Sequence, residues 1–157
     1  MGWLNGFGAL FMCLLLAPNV AFAMMHRDGF ENRVQNRTLE TLEQIGRFGS
    51  FLLMIACPPF LSGGWLFAGA ETAYRIAGAA LVGLYLIGWI IFWNENSMRK
   101  SLALSILPSI LFLESGILSL NYPLIAAAVI FAPCHIAISA LNAKYQGRMM
   151  WEEFCEH

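Results

Sequence analysis

Apolar and polar positions along this chain fall into long blocks rather than a fine alternation. Five blocks approach the roughly 20 mostly apolar residues that a membrane-crossing helix needs. They lie at about residues 3–23, 45–67, 74–93, 101–120 and 123–141. Only Ala68–Ala73 separates the second block from the third, and little more than Asn121-Tyr122 separates the fourth from the fifth. Connections that short force neighbouring helices to run antiparallel. The pattern predicts an all-α, polytopic integral membrane protein with five transmembrane helices in a single domain, residues 1–157. One long polar stretch interrupts it, His26–Phe48, whose segment 26–47 has the pattern of an amphipathic helix leading straight into the second block.

Orientation follows from lysine and arginine, which are retained on the cytoplasmic side of short loops. The loop after the first block carries Arg27, Arg33, Arg37 and Arg47, the loop after the third carries Arg99 and Lys100, and the tail carries Lys144 and Arg148. The loop after the fourth block has no lysine or arginine, and the loop after the second has none before Arg75. Positive and bare loops alternate, so the N-terminus is expected outside and the C-terminus inside. Ala21-Phe22-Ala23 resembles a signal-peptidase site. However, a signal peptide begins with a positive region, and residues 1–23 contain neither lysine nor arginine. Cleavage would also leave the four arginines outside. The glycosylation sequon Asn36-Arg37-Thr38 falls on the cytoplasmic side under this reading.

Composition agrees. Hydrophobic residues make up 59% of the 157 and charged residues 12%, about half of the ~25% usual in soluble domains. A net charge of −1 gives no reason to expect nucleic acid as a partner. Cys13, Cys57, Cys134 and Cys155 show no C-x-x-C spacing, so neither a disulfide nor a metal site is expected. Trp3, Trp65, Tyr74 and Tyr122 would mark the outer interface, and Trp89, Trp93, Tyr145 and Trp151 the inner one. So compact a chain points to a bacterial inner (plasma) membrane, with the lipid bilayer as its first partner.

Helical spacing of about 100° per residue places Arg33, Asn36, Arg37, Glu40, Glu43, Gln44 and Arg47 on one arc of roughly 120°. Val34, Leu39, Leu42 and Ile45 lie opposite. Such a face either meets cytosol and lipid headgroups or lines a cytoplasm-facing cavity, where arginines oriented by glutamates bind an anionic ligand. Arg33, Arg37, Glu40, Glu43 and Arg47 are the ligand-binding candidates.

The run Arg33-Val-Gln-Asn-Arg-Thr-Leu-Glu40-Thr-Leu resembles the loop-to-second-helix motif of the MAPEG family, small membrane enzymes of glutathione and eicosanoid metabolism. That family has an arginine, an asparagine four residues on and a glutamate three further, after an N-out first helix. The resemblance implies that Arg33 and Glu40 help bind glutathione at a subunit interface. Arg37 stands where the family has asparagine, five spans replace the usual four, and the likeness covers about ten residues.

Within the apolar blocks, ionisable groups are costly and often functional. Glu114 lies in the outer half of the fourth with no lysine or arginine at its depth, which makes it a candidate proton site. Ser115, Asn5 and Asn121 are its expected neighbours. His135 and Asn19 share a depth in the inner half, beside Pro133 and Pro18, whose freed carbonyls are tolerated where polar partners or a cavity absorb them. Asn19, His135 and the start of the second span therefore form a second candidate site, open to the cytoplasm. Pro58-Pro59 and Pro108 are expected to kink the second and fourth spans.

Three functions remain open. The first is a cytoplasm-facing polar cavity that binds or transports a small molecule or ion, proton-coupled through Glu114 and assembled as a homo-oligomer. The second is a membrane-embedded enzyme, MAPEG-like, acting on a glutathione or lipid substrate. The third is a non-catalytic accessory subunit of a membrane complex. No H-E-x-x-H, G-x-S-x-G, C-x-x-C or P-loop signature is present.

Overall fold

The computed structural model describes residues 3–25, 36–95 and 97–155, with side chains on the last helix described as far as Tyr145. Arg27 and Arg33 therefore lie outside the described residues, as do the side chains of Arg148 and Trp151. Among the described residues five helices follow one another: α1 Gly6–Met25, α2 Arg37–Ile55, α3 Ala70–Ile91, α4 Met98–Leu118 and α5 Tyr122–Cys155. Four are long and apolar enough to cross a membrane, namely α1, α3, α4 and the Tyr122–Tyr145 part of α5.

The helices pack side by side in the ring order α1, α2, α5, α4, α3 and back to α1, with α1 the most lightly held. At one end, here the upper, α1 begins where α2 stops. Asn5 N donates to Ile55 O at 2.8 Å and Cys57 N to Trp3 O at 3.0 Å. The α4–α5 turn sits at the same end, where Asn121 caps α5 by accepting from Leu124 N at 3.2 Å. Its side-chain amide also donates to Leu53 O at 3.0 Å, tying the turn to α2.

The second apolar block does not form one helix over 45–67. Helix α2 starts earlier, at Arg37, where the Asn36 side chain caps it by accepting from Leu39 N, and it ends at Ile55. Cys57 precedes Pro58-Pro59, and a residue before proline is held out of the helical region while proline itself cannot continue the hydrogen-bond ladder. The prolines therefore terminate the helix rather than kink it. Residues 56–69 run along the upper end as an irregular strap. Gly63 N donates to Leu120 O and Leu66 N to Leu118 O, each at 3.0 Å. Pro18, Pro108 and Pro133, by contrast, sit inside α1, α4 and α5.

Phe11, Met12, Leu15, Met54, Tyr74, Leu111, Phe112 and Phe131 fill the interior. The outside is apolar too: Ile76, Leu84, Ile90, Ile91 and Val129 are all exposed. Facing water, such a surface would carry a penalty of about 25 cal/mol for each Å². Facing hydrocarbon it carries none, which is the arrangement expected of an integral membrane protein.

Candidate functional site

Helix α2 is amphipathic with its faces reversed relative to a helix on a water-soluble protein. Leu42, Ile45, Phe48 and Leu52 point outward, with Phe48 60% and Leu52 67% exposed, while Glu43, Gly46 and Ser50 are buried. A carboxylate carried into the interior needs partners, since an isolated buried charge is very costly. Glu43, only 2% exposed, has two. Its Oε1 forms an ion pair with Arg47 one turn on, and the same oxygen lies 2.9 Å from His135 Nδ1 on α5.

Gly46 makes that second contact possible. A β-carbon there would fall 2.7 Å from Phe131 N and 2.8 Å from Phe131 Cα. The α2 and α5 backbones are thus nearly in contact one turn from the Glu43–His135 pair. The His135 imidazole also stacks on the Phe131 ring, with centroids 4.6 Å apart and planes 20° from parallel.

Arg47 and His135 open into a cavity of about 480 Å³ lined by all five helices. That volume lies within the ~300–1,000 Å³ range of small-molecule sites. At about 1.5 Å per helical residue, Phe112 lies roughly 9 Å from the upper end of α4 at Leu118, and Lys100 roughly 27 Å from it. On the same scale, Phe131 lies about 14 Å from the start of α5 and Asn142 about 30 Å. The cavity therefore has an aromatic floor of Phe51, Phe112 and Phe131. Asn19, Tyr85, Arg47 and His135 form its middle, and its lower rim carries Lys100, Ser101, Ser139 and Asn142.

The middle is pre-arranged. Asn19 Nδ2 donates to Tyr85 Oη at 2.6 Å and to Leu15 O at 2.7 Å, which joins α1 to α3 across the cavity wall. Lys100 is 7% exposed. Its ammonium sits 4.2 Å from the Phe22 ring centroid and 5.3 Å from that of Trp89, and it donates to Trp93 O at 3.4 Å. Cation–π contacts of this kind hold a partly desolvated cation in place. Among the described residues no carboxylate lies within ion-pair distance of Lys100. The exposed Glu95 attracts it from farther off.

The structure divides the candidates named from the sequence. Asn19, Arg47 and His135 line one cavity, and Glu43 lies behind its wall. Arg37 is exposed at the start of α2, and Glu40 is half-buried on the same helix without lining the cavity. Arg33 lies outside the described residues. Glu114 is elsewhere, above the cavity floor, and both its carboxylate oxygens are buried with no hydrogen-bond partner. The neighbours expected for it are otherwise engaged or silent: Asn5 donates to Tyr74 Oη at 2.9 Å, Asn121 serves α2 and α5, and Ser115 Oγ has no partner.

Sequence reasoning missed Lys100, Tyr85 and the hydroxyls of α4 and α5. Periodicity carried a usable signal. Ser101, Ser105, Pro108 and Phe112 share one face of α4, and Phe131, His135, Ser139 and Asn142 share one face of α5. Among the described residues no group of three His, Cys, Asp or Glu side chains could hold a metal ion, and none of Cys13, Cys57 and Cys134 forms a disulfide. Comparisons with protein-family models, with curated proteins and with solved structures return no match.

Proposed function

We propose that this chain binds a small molecule in the five-helix cavity from the cytoplasmic side of a membrane that all five helices cross, with the N-terminus outside. One observation carries the reading. Three basic side chains on three different helices, Arg47, Lys100 and His135, meet in one cavity, and among the described residues the only carboxylate bonded to that group, Glu43, is buried behind it. A helix that merely met cytosol and headgroups would have no need to turn Glu43 and Arg47 inward. The orientation is supported by charge: Arg37, Arg99, Lys100 and Lys144 lie toward the lower end, and Arg75 alone toward the upper among the described residues. Transport is the natural extension, with Glu114 as a proton site. Its buried carboxylate has no hydrogen-bond partner, and an isolated buried charge is costly.

The test is thermal stability of the purified chain against glutathione, nucleotides, lipids and amphipathic cations, for the wild type and for Ser139→Phe, which places a ring in the cavity. A ligand at 100 times its Kd adds about 2.7 kcal/mol, a readable shift that Ser139→Phe should abolish. If no compound shifts the wild type, or if Ser139→Phe responds as the wild type does, the cavity is not the site. The MAPEG-like enzyme is the second reading. It is favoured only by the Arg33–Glu40 resemblance, and it requires that glutathione stabilises the wild type but not Glu40→Ala.

A further inference from the structure

We infer that the ligand is a single-chain amphiphile with an anionic head, carboxylate or phosphate monoester. Its head would sit at the collar of Arg47, His135 and Lys100, and its chain on the floor of Phe51, Phe112 and Phe131. The inference rests on the cavity-binding reading above and adds the chemical class of the occupant. Charge comes first. Among the described residues Glu43 balances one of the two permanent cations, Arg47 and Lys100, which leaves an excess of at least one positive charge. Among the described residues no acidic side chain lines the cavity. In a wall this dry, an uncompensated cation is best served by an anion that completes its hydrogen bonding.

Shape gives the second half. A soluble dianion or a nucleotide needs polar partners along its length, and here they are confined to the middle and the lower rim. Above Pro108 in the cavity, toward the upper end, the wall is Leu15, Phe51, Phe112 and Phe131, with no polar side chain. The site thus has one charged zone and one apolar zone in series along the helix axes. Its polar end opens where amphiphile heads lie, at the lower membrane face. The donors there suit a compact head: Arg47 and Lys100 are charged, and Ser101 and Ser139 add neutral hydrogen-bonding groups at the rim.

The experiment uses the full chain in phosphatidylcholine nanodiscs, whose zwitterionic lipid supplies no competing anionic amphiphile. Binding of radiolabelled dodecanoate is measured after subtraction of empty discs. It is then competed with dodecyl phosphate, dodecanol and dodecyltrimethylammonium. Saturable dodecanoate binding is expected, displaced by dodecyl phosphate, displaced at least about tenfold less well by dodecanol (the loss of a charge-assisted hydrogen bond) and unaffected by the ammonium. Which anion displaces better tells a carboxylate head from a phosphate one. Lys100→Met should weaken dodecanoate about tenfold or more while Lys100→Arg retains it, a rescue that separates charge from folding. Equal competition by dodecanol or by the ammonium overturns the anionic head but leaves a small-molecule site intact. Absence of saturable dodecanoate binding overturns the anionic amphiphile; if Ser139→Phe also alters no thermal shift, both readings fall.

Discussion

Gly46 is where packing and the site meet most closely, and replacing it with alanine has a calculable consequence. The added β-carbon would sit 2.7, 2.8 and 2.9 Å from Phe131 N, Cα and Cβ. Optimal separations for carbon atoms are about 3.5–4.0 Å, so α2 and α5 must part by several tenths of an ångström or more. The obstacle is mostly backbone and cannot swing aside. Overpacking of this kind costs about 1–3 kcal/mol, against a gain of up to about 1 kcal/mol from replacing glycine in a helix. Gly46→Ala should therefore destabilise by about 1–2 kcal/mol. Gly83, in α3, is the control: a β-carbon there meets nothing within 4 Å, so Gly83→Ala should be neutral or gain up to about 1 kcal/mol. Equilibrium unfolding in mixed micelles, followed by circular dichroism, compares the two directly. Parting α2 from α5 also stretches the 2.9 Å Glu43–His135 contact, so Gly46→Ala should weaken ligand binding, whereas Gly83→Ala leaves it unchanged. A Gly46→Ala protein as stable as wild type, or a Gly83→Ala protein that loses as much, would refute the close-contact argument.

Other side chains give sharper local tests. Glu43→Gln removes the charge that holds Arg47 and His135; with Arg47 one-third exposed and able to reach solvent, the cost should be about 2 kcal/mol in the same unfolding assay. A Glu43→Gln protein with unchanged stability would mean that the buried pair is not structural. Asn121→Ala deletes both the cap on α5 and the bond to Leu53 O. A loss of about 2–3 kcal/mol is expected, and a loss of only a few tenths would show that the strap closes the upper end without it. Glu114→Gln keeps the shape of a group that has no partner to lose, so stability should hold or rise. A large fall would reveal an ionised carboxylate that something in the assembly balances.

How far these features could be read from the sequence depends on the length scale of the signal. Helices α1, α3 and α4 fall within about four residues of the apolar blocks at 3–23, 74–93 and 101–120, and α5 starts one residue before its block. Twenty consecutive apolar residues leave few alternatives. The second block misled because hydropathy sums residues without regard to backbone. Leu53, Leu61 and Leu66 count alike, yet Pro58-Pro59 ends the helix between them and turns the remainder into a strap. The polar arc of α2 was visible at its 100° spacing, but periodicity alone does not say which face is inward. In the sequence Lys100 is one charge in a loop, since its neighbours Phe22 and Trp89 come from helices that only the tertiary fold brings beside it.

The inward choice for α2 is the one that a hydrocarbon solvent would favour. In water, Leu42, Ile45, Phe48 and Leu52 would seek the interior, and Glu43 and Arg47 would be left outside. In hydrocarbon the apolar face gains little from burial, because lipid is as apolar as a protein core. The polar face, however, loses heavily by exposure. The balance therefore rests on where Glu43 and Arg47 find partners, and His135 supplies one only if α2 lies hard against α5. That in turn requires a glycine at position 46. Two residues of the polar arc, Glu43 and Arg47, thus tie α2 to the ring. A ring closed this way holds two basic groups, Arg47 and His135, at the edge of its own cavity.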